Sequence, residues 1–536
     1  MERQLEPGSW DLTLYEKNAR LGGTWFENTY PGIACDIPSP IYTYTFEPNP
    51  NWSFFYAHGA EIQGYFEGFA RKYDLEHYIQ LNTQVQRTAW DEELGIWRIT
   101  LEDRLTGAKI HDWSHVLING TGILNTWTWP NIEGLKDFKG PIMHSARWDH
   151  KVDFAGKSVG VIGKGSSAVQ IIPQIQPIVK DLQVFMRPEG TWISPPFGFS
   201  TLGDEFRKED NDPSSRQYHF SEEQKRHFAE HPEEHLRLRR KIECEINTMF
   251  SKIYKKNSED NEMIREQMTK EMLRRIGPGH EELKKALIPT WAPGCRRVTP
   301  GDGFLEALVK DNVDCVFSGI EKITPDGILT ADGRQHKFDI LVCATGYKPA
   351  FGPAWEVVNG QGKTLKQDWE PYGGVNIYMG LSCPRFPNFF TIVGACATWS
   401  NGTLLPSIET SIEYSIQCMN KIQSEGIKSL SLKQQALDEL YLHMDVFHKA
   451  TVFQEPCRSW FKSGTKDARI YLWPGGTLHF LKSIKVPRYE DYDIEYINRL
   501  SRFAFYGNGE VKAQESGDPN EMSPYIRNAD TPWNIE

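Results

Sequence analysis

The stretch KSVGVIGKGSSAVQIIPQI, residues 157–175, decides the fold of this chain. SVGVIG reads as a near-continuous apolar strand, as expected of a parallel strand buried on both faces. It runs into Gly163-Lys164-Gly165-Ser166-Ser167-Ala168 and then an apolar helix whose Gln170 is expected to join the NADP contacts. The glycines let the backbone turn tightly and approach a pyrophosphate resting on the helix N-terminus. A Gly-x-Gly-x-x-Ala string alone is weak, but between a strand and a helix it predicts a dinucleotide site. The next strand, DLQVFMR, ends in Arg187 and Pro188, basic where an NAD site carries an acid. A guanidinium there suits a 2′-phosphate and points to NADP(H). The alternative is an ordinary surface cation.

Upstream, DLTLYEKNARLGGTW (residues 11–25) reads as a short strand, Leu12 to Tyr15, ending in Glu16 and followed by the turn Gly22-Gly23. An acid at the end of the second strand of such a sheet takes the ribose hydroxyls. That acid normally lies about 20 residues after a Gly-x-Gly-x-x-Gly loop, yet only fifteen residues precede Glu16. Gly277-Pro278-Gly279, Gly301-Asp302-Gly303 and Gly507-Asn508-Gly509 do not replace the loop, because none follows an apolar strand. The first strand and phosphate loop of this unit are therefore expected to be absent. Two explanations stand: a longer natural chain upstream, or a truncated relative with weak or no flavin binding. Glycine turns at strand ends, Gly120-Thr121-Gly122 and Ala344-Thr345-Gly346, let the chain pass close to a cofactor. Two dinucleotide sites in one chain imply FAD beside NADPH, with hydride passing from nicotinamide to flavin.

The expected fold is α/β, with two Rossmann-like domains and a helical insertion. Residues 1–149 and 340–508 form an N-terminally incomplete FAD-binding domain, and 150–339 an NADP-binding domain. The charged, helical insertion over about 200–290 should cover one side of the second unit. Residues 384–480 read as loops over a site, and 509–536 as a polar, poorly ordered tail. At 536 residues the chain can bury more than one core. Its net charge of −11 supplies no basic face and argues against nucleic acid as a partner. Nine cysteines without a Cys-x-x-Cys pair suggest reduced thiols in a cytoplasmic protein and no redox pair. No apolar run reaches the length of a membrane span.

GGTWFENTYPGIACD (22–36) and FKGPIMHSARWD (138–149) resemble the two fingerprints of the Baeyer–Villiger monooxygenases. The second fits the family's Phe-x-Gly-x-x-x-His-x-x-x-Trp-Asp form. The sister enzymes that oxygenate amines and sulfides usually end that string in Tyr or Phe. SNGTLLPSIE, CRSWFK and LWPGGTLHF look most like fungal members acting on polyketides, terpenoids or steroids. The resemblance, from about residue 11 to 505, implies FAD, NADP(H), O₂ and a bulky ketone converted to an ester or lactone. It leaves the individual ketone and the oligomeric state open. It places Gly23, Thr24, Trp25, Asp36 and Tyr42, with Glu16, against FAD. Ala34, Cys35 and Asp36 would receive the nicotinamide half, joined on the NADP side by Arg296 and Trp460. Arg297 of GCRRV becomes the catalytic arginine, held by Asp36 and stabilising negative charge during oxygen transfer. His144 is expected to be a hydrogen-bonded hinge residue, and Cys35 a small buried one. An N- or S-oxygenating flavoenzyme and a non-catalytic NADP-binding remnant are the alternatives.

Overall fold

The computed structural model describes residues 1–188, 190–194, 217–348, 351–398 and 402–535. Ser158–Ile162 is the middle strand of a five-stranded parallel sheet. The order is Val313–Val316, Asp181–Phe185, Ser158–Ile162, Ile340–Cys343 and Ile142–His144. Val159, Val161, Leu182, Val184 and Leu341 are fully buried, which explains the near-continuous apolar pattern of these strands. The helix after the glycine turn, Ser166–Ile175, lays Ala168, Val169, Ile171, Ile172 and Ile175 on the sheet. Ile142–His144 and Ile340–Cys343 lie outside the boundaries expected for the NADP unit, yet both pair within its sheet.

The flavin side differs. Leu14–Tyr15 pairs in parallel with Ile79–Gln80, and Leu117–Asn119 in parallel with Phe389–Thr391, as two separate two-stranded sheets. Among the described residues each pair keeps an unpaired edge, and Leu14 and Ile118 on these strands are 46% and 36% exposed. An antiparallel meander, Thr83–Asp91, Ile96–Asp103 and Lys109–Ser114, lies beside them with Glu356–Val358 parallel at its edge. The expected amphipathic helix forms over Gly59–Lys72 and buries Ile62 and Ala70.

Two expectations are corrected. The insertion covers both units, and its portion over 195–216 lies outside the described residues. Phe228, Leu238 and Ile242 pack with Trp52, Phe55 and Ile62, whereas Met268, Met272 and Leu283 join the core of the NADP sheet. Within 384–480 the chain forms two long helices, Leu404–Ser424 and Gln434–His448, with the strand Ile427–Leu432 between them. The buried face of the first helix carries Ser407, Ser411 and Ser415, whose polarity hides the helical period. Ser411 and Ser415 donate to the carbonyls four residues back, at 2.7 and 3.0 Å. The tail forms two single-turn helices, Ala513–Ser516 and Pro519–Met522.

Candidate active site

Asp36 follows a segment tied to both units. The Tyr30 hydroxyl donates to Gln170 Oε1 at 2.8 Å, and Gln170 Nε2 donates to the carbonyl of Ala34 at 2.9 Å. Gly32 has φ +79°, and a Cβ there would sit 2.7 Å from the Gln170 carbonyl, so this approach requires glycine. Gln170, expected as an NADP contact, is thus a bridge between the units. Cys35 is buried, and burial with the neighbouring Asp36 charge pushes its pKa up, which keeps it a thiol.

Arg297 lies 261 residues away in sequence and reaches Asp36 with two hydrogen bonds, Nε to Oδ2 at 2.6 Å and Nη2 to Oδ1 at 2.8 Å. This fork fixes the guanidinium plane, and the Asp36 charge raises the arginine pKa further. The Arg297 side chain remains 39% exposed, so it is held without being enclosed. Tyr254, which the sequence reading missed, interacts electrostatically with Arg297, and burial raises its pKa to about 12. Trp25 meets Tyr42 edge-on, ring centroids 5.8 Å apart.

The glycine turn has the geometry its motif requires. Gly163 has φ +130°, and an added Cβ would lie 2.3 Å from the Ala344 carbonyl oxygen. Its N–H donates to Phe185 at 3.1 Å, which sets the turn beside the end of the Asp181–Phe185 strand. Arg187 and Pro188 are exposed just beyond that strand. Gly165 and Ser166 are exposed at the helix start, Ser167 and Lys164 are half-buried, and Ala168 is buried. Arg296 and Trp460 are half-buried.

On the flavin side, Glu16 closes its strand half-buried, accepting from the Asn18 N–H at 2.8 Å, and burial raises its pKa. Thr24 opens the short helix Thr24–Glu27 behind Gly23. Gly23, Gly120, Gly122 and Gly346 have no atom within 4 Å of a would-be Cβ, leaving a cradle of bare backbone at the strand ends. These residues fit FAD at the ribose and along the backbone turns. Among the described residues of this unit, no Gly-x-Gly-x-x-Gly turn is present for the pyrophosphate.

His144 is fully buried, its ring stacked on Trp127 at 4.7 Å. Its Nδ1 accepts from Ala146 N–H at 3.1 Å, so the proton sits on Nε2, which faces Thr345 Oγ1 at 3.2 Å. Burial and Arg147 lower its pKa to about 4. A neutral ring in this position joins strand ends and holds no spare proton near pH 7. Among the cysteines one expectation fails: Cys295 and Cys457 form a disulfide. They are 162 residues apart, so no local spacing announces the pair.

A model of the family described as flavin-binding monooxygenase-like matches residues 10–197. An FAD-binding monooxygenase of Aspergillus terreus is 36% identical over 96% of this chain and 89% of its own. A Baeyer–Villiger monooxygenase of Streptomyces coelicolor is 30% identical over 91% of this chain and 88% of its own. The solved cyclohexanone monooxygenase of Rhodococcus sp. Phi1 bound to NADP⁺ shares the fold, with TM-score 0.75 and 23% identity over 90% of this chain and 94% of its own. The fold and site define a flavin-dependent monooxygenase. The chain belongs to the Baeyer–Villiger branch of the flavin-binding monooxygenase family.

Proposed function

We propose that this protein uses FAD and NADPH to insert one oxygen atom of O₂ beside the carbonyl of a bulky ketone, giving an ester or lactone of secondary metabolism. The observation that carries this reading is the two-point Arg297–Asp36 pair, which joins the GCRRV segment to the end of the first fingerprint. The substrate class rests on the resemblance of the C-terminal segments to fungal members.

Glu16, Gly23, Thr24, Trp25, Asp36 and Tyr42 would hold FAD. Gly163, Lys164, Gly165, Ser166, Ser167 and Ala168 would cradle the NADP pyrophosphate, with Arg187, Pro188 and Arg296 serving its 2′-phosphate side. Ala34 and Cys35 would face the nicotinamide half, Trp460 the ribose. Reduced by NADPH, bound FAD supplies the electrons that activate O₂. Arg297 stabilises negative charge as it builds at the reacting oxygens, and Asp36 keeps the guanidinium charged and aimed. Gln170 clamps the Tyr30–Ala34 segment, so the base of Asp36 is held from the NADP side.

The test supplies the purified chain with FAD, NADPH and a panel of bulky cyclic ketones under ¹⁸O₂. Ketone-dependent NADPH consumption and an ester carrying one ¹⁸O are expected. Label appearing only on an amine or sulfide supplied in place of the ketone would overturn the reading.

A further inference from the structure

Two loops that the functional reading brings to the cofactor are covalently joined. Cys295 immediately precedes Arg296 and Arg297, and Cys457 lies three residues before Trp460. Both cysteines are buried, at 0% and 2% exposure. Two polar contacts run beside the bond. The Ala292 N–H donates to Glu455 Oε2 at 2.9 Å, and buried Lys462 donates through Nζ to the Glu455 carbonyl at 2.8 Å. Tyr254 ties the same region down, its carbonyl accepting from Val452 at 3.0 Å and its ring stacked on Phe453 at 5.1 Å. On the other flank, Thr299 N–H donates to the Trp192 carbonyl at 3.1 Å. The segment from Trp291 to Thr299 is thus pinned on both sides of the arginines.

We propose that the Cys295–Cys457 disulfide is a positioning element of the site, fixing the Arg296–Arg297 loop against the Trp460 loop. This rests on the roles given above to Arg296, Arg297 and Trp460. Arg297 must meet both oxygens of Asp36 and the reacting centre at once, and a small displacement of such a group is costly in rate. A covalent tie two residues from Arg297 restricts the backbone that sets its reach. The same tie fixes the base of the Trp460 loop, so one bond orients groups expected at opposite ends of the nicotinamide half.

The test uses the full chain with FAD and NADPH. Alkylation of the denatured, unreduced protein should modify seven of the nine cysteines, with the peptides of Cys295 and Cys457 migrating together. Cys295→Ser, Cys457→Ser and the double variant should keep their flavin. Their KM for NADPH should rise about tenfold, and a larger share of NADPH and O₂ should end as NADP⁺ and hydrogen peroxide. The double variant should match the singles, because all three remove one bond. A purely structural bond would lower the melting temperature without moving KM or coupling. If the variants do not fold, a dithiol applied to the natural chain serves instead. It delivers two electrons and two protons to the bond, leaves as its own cyclic disulfide, and should produce the same shifts. Nine reactive thiols, or unchanged KM and coupling after loss of the bond, would overturn the proposal. Ester formed by Arg297→Ala at the natural rate would sink the role given to Arg297, on which this proposal rests, and leave the thiol count untouched.

Discussion

The two dinucleotide halves of this molecule differ in the continuity of their sheets. The NADP half has a continuous five-stranded parallel sheet with its glycine turn between strand and helix. The flavin half carries its sheet as two separate pairs whose strands leave Leu14 and Ile118 exposed. The difference shows which parts of a cofactor site are local. A phosphate cradle is one turn and one helix start, and stands or falls with a single segment. The proposed catalytic pair is assembled from distant parts of the sequence, Asp36 at the end of one fingerprint and Arg297 261 residues on, and its two hydrogen bonds form despite the divided flavin sheet.

The comparison can be broken hardest at Gly163. Gly163→Ala drives a Cβ into the Ala344 carbonyl at a φ that other residues rarely adopt. It should cost about 1–3 kcal/mol of stability and abolish measurable NADP⁺ binding, read by melting and calorimetry. FAD binding should fall far less if the halves are as separate as their sheets. Arg187→Ala sharpens cofactor choice. Losing a charged contact worth about 2 kcal/mol should raise the KM for NADPH about thirtyfold and leave NADH kinetics unchanged.

The junction of the halves can be tested by pH. Burial lowers the pKa of His144, and likewise of His235 stacked on Phe228, from the usual 6.5 to about 4. Between those values the unfolded chain binds more protons, so stability falls as pH drops from 6.5 toward 4 and levels off below it. The melting temperature should fall across that window, and His144→Asn should make the fall shallower while His235 keeps its share. The smallest effect belongs to one side chain of the Leu404–Ser424 helix. Ser411→Ala removes a bond within one helix, and its melting curve should shift by less than about 1 kcal/mol.

Legibility in the sequence followed the locality of each signal. The apolar run of Ser158–Ile162 and the glycines after it could be read directly, because strand burial and turn geometry constrain neighbouring residues. The separation of Leu14–Tyr15 and Leu117–Asn119 into two small sheets had no local signal, because strand pairing joins distant segments. The Asp36–Arg297 pair could be named only through the family resemblance, since 261 residues separate the partners. The two bonds of the Gln170 amide could not be read, because Tyr30 and Ala34 lie 140 and 136 residues away in sequence. The Leu404–Ser424 helix escaped notice because serines occupy its buried face. The Cys295–Cys457 pair carried no sequence signal.

The central claim is that Arg297, aimed by Asp36, performs the oxygenation and plays no part in loading electrons onto the flavin. The most direct test compares the natural chain with Arg297→Ala in two assays, anaerobic flavin reduction by NADPH and ester yield in air. The account predicts reduction at a similar rate in both and an ester yield in the variant lower by about 10²-fold or more. Ester formed by Arg297→Ala at the natural rate would contradict it.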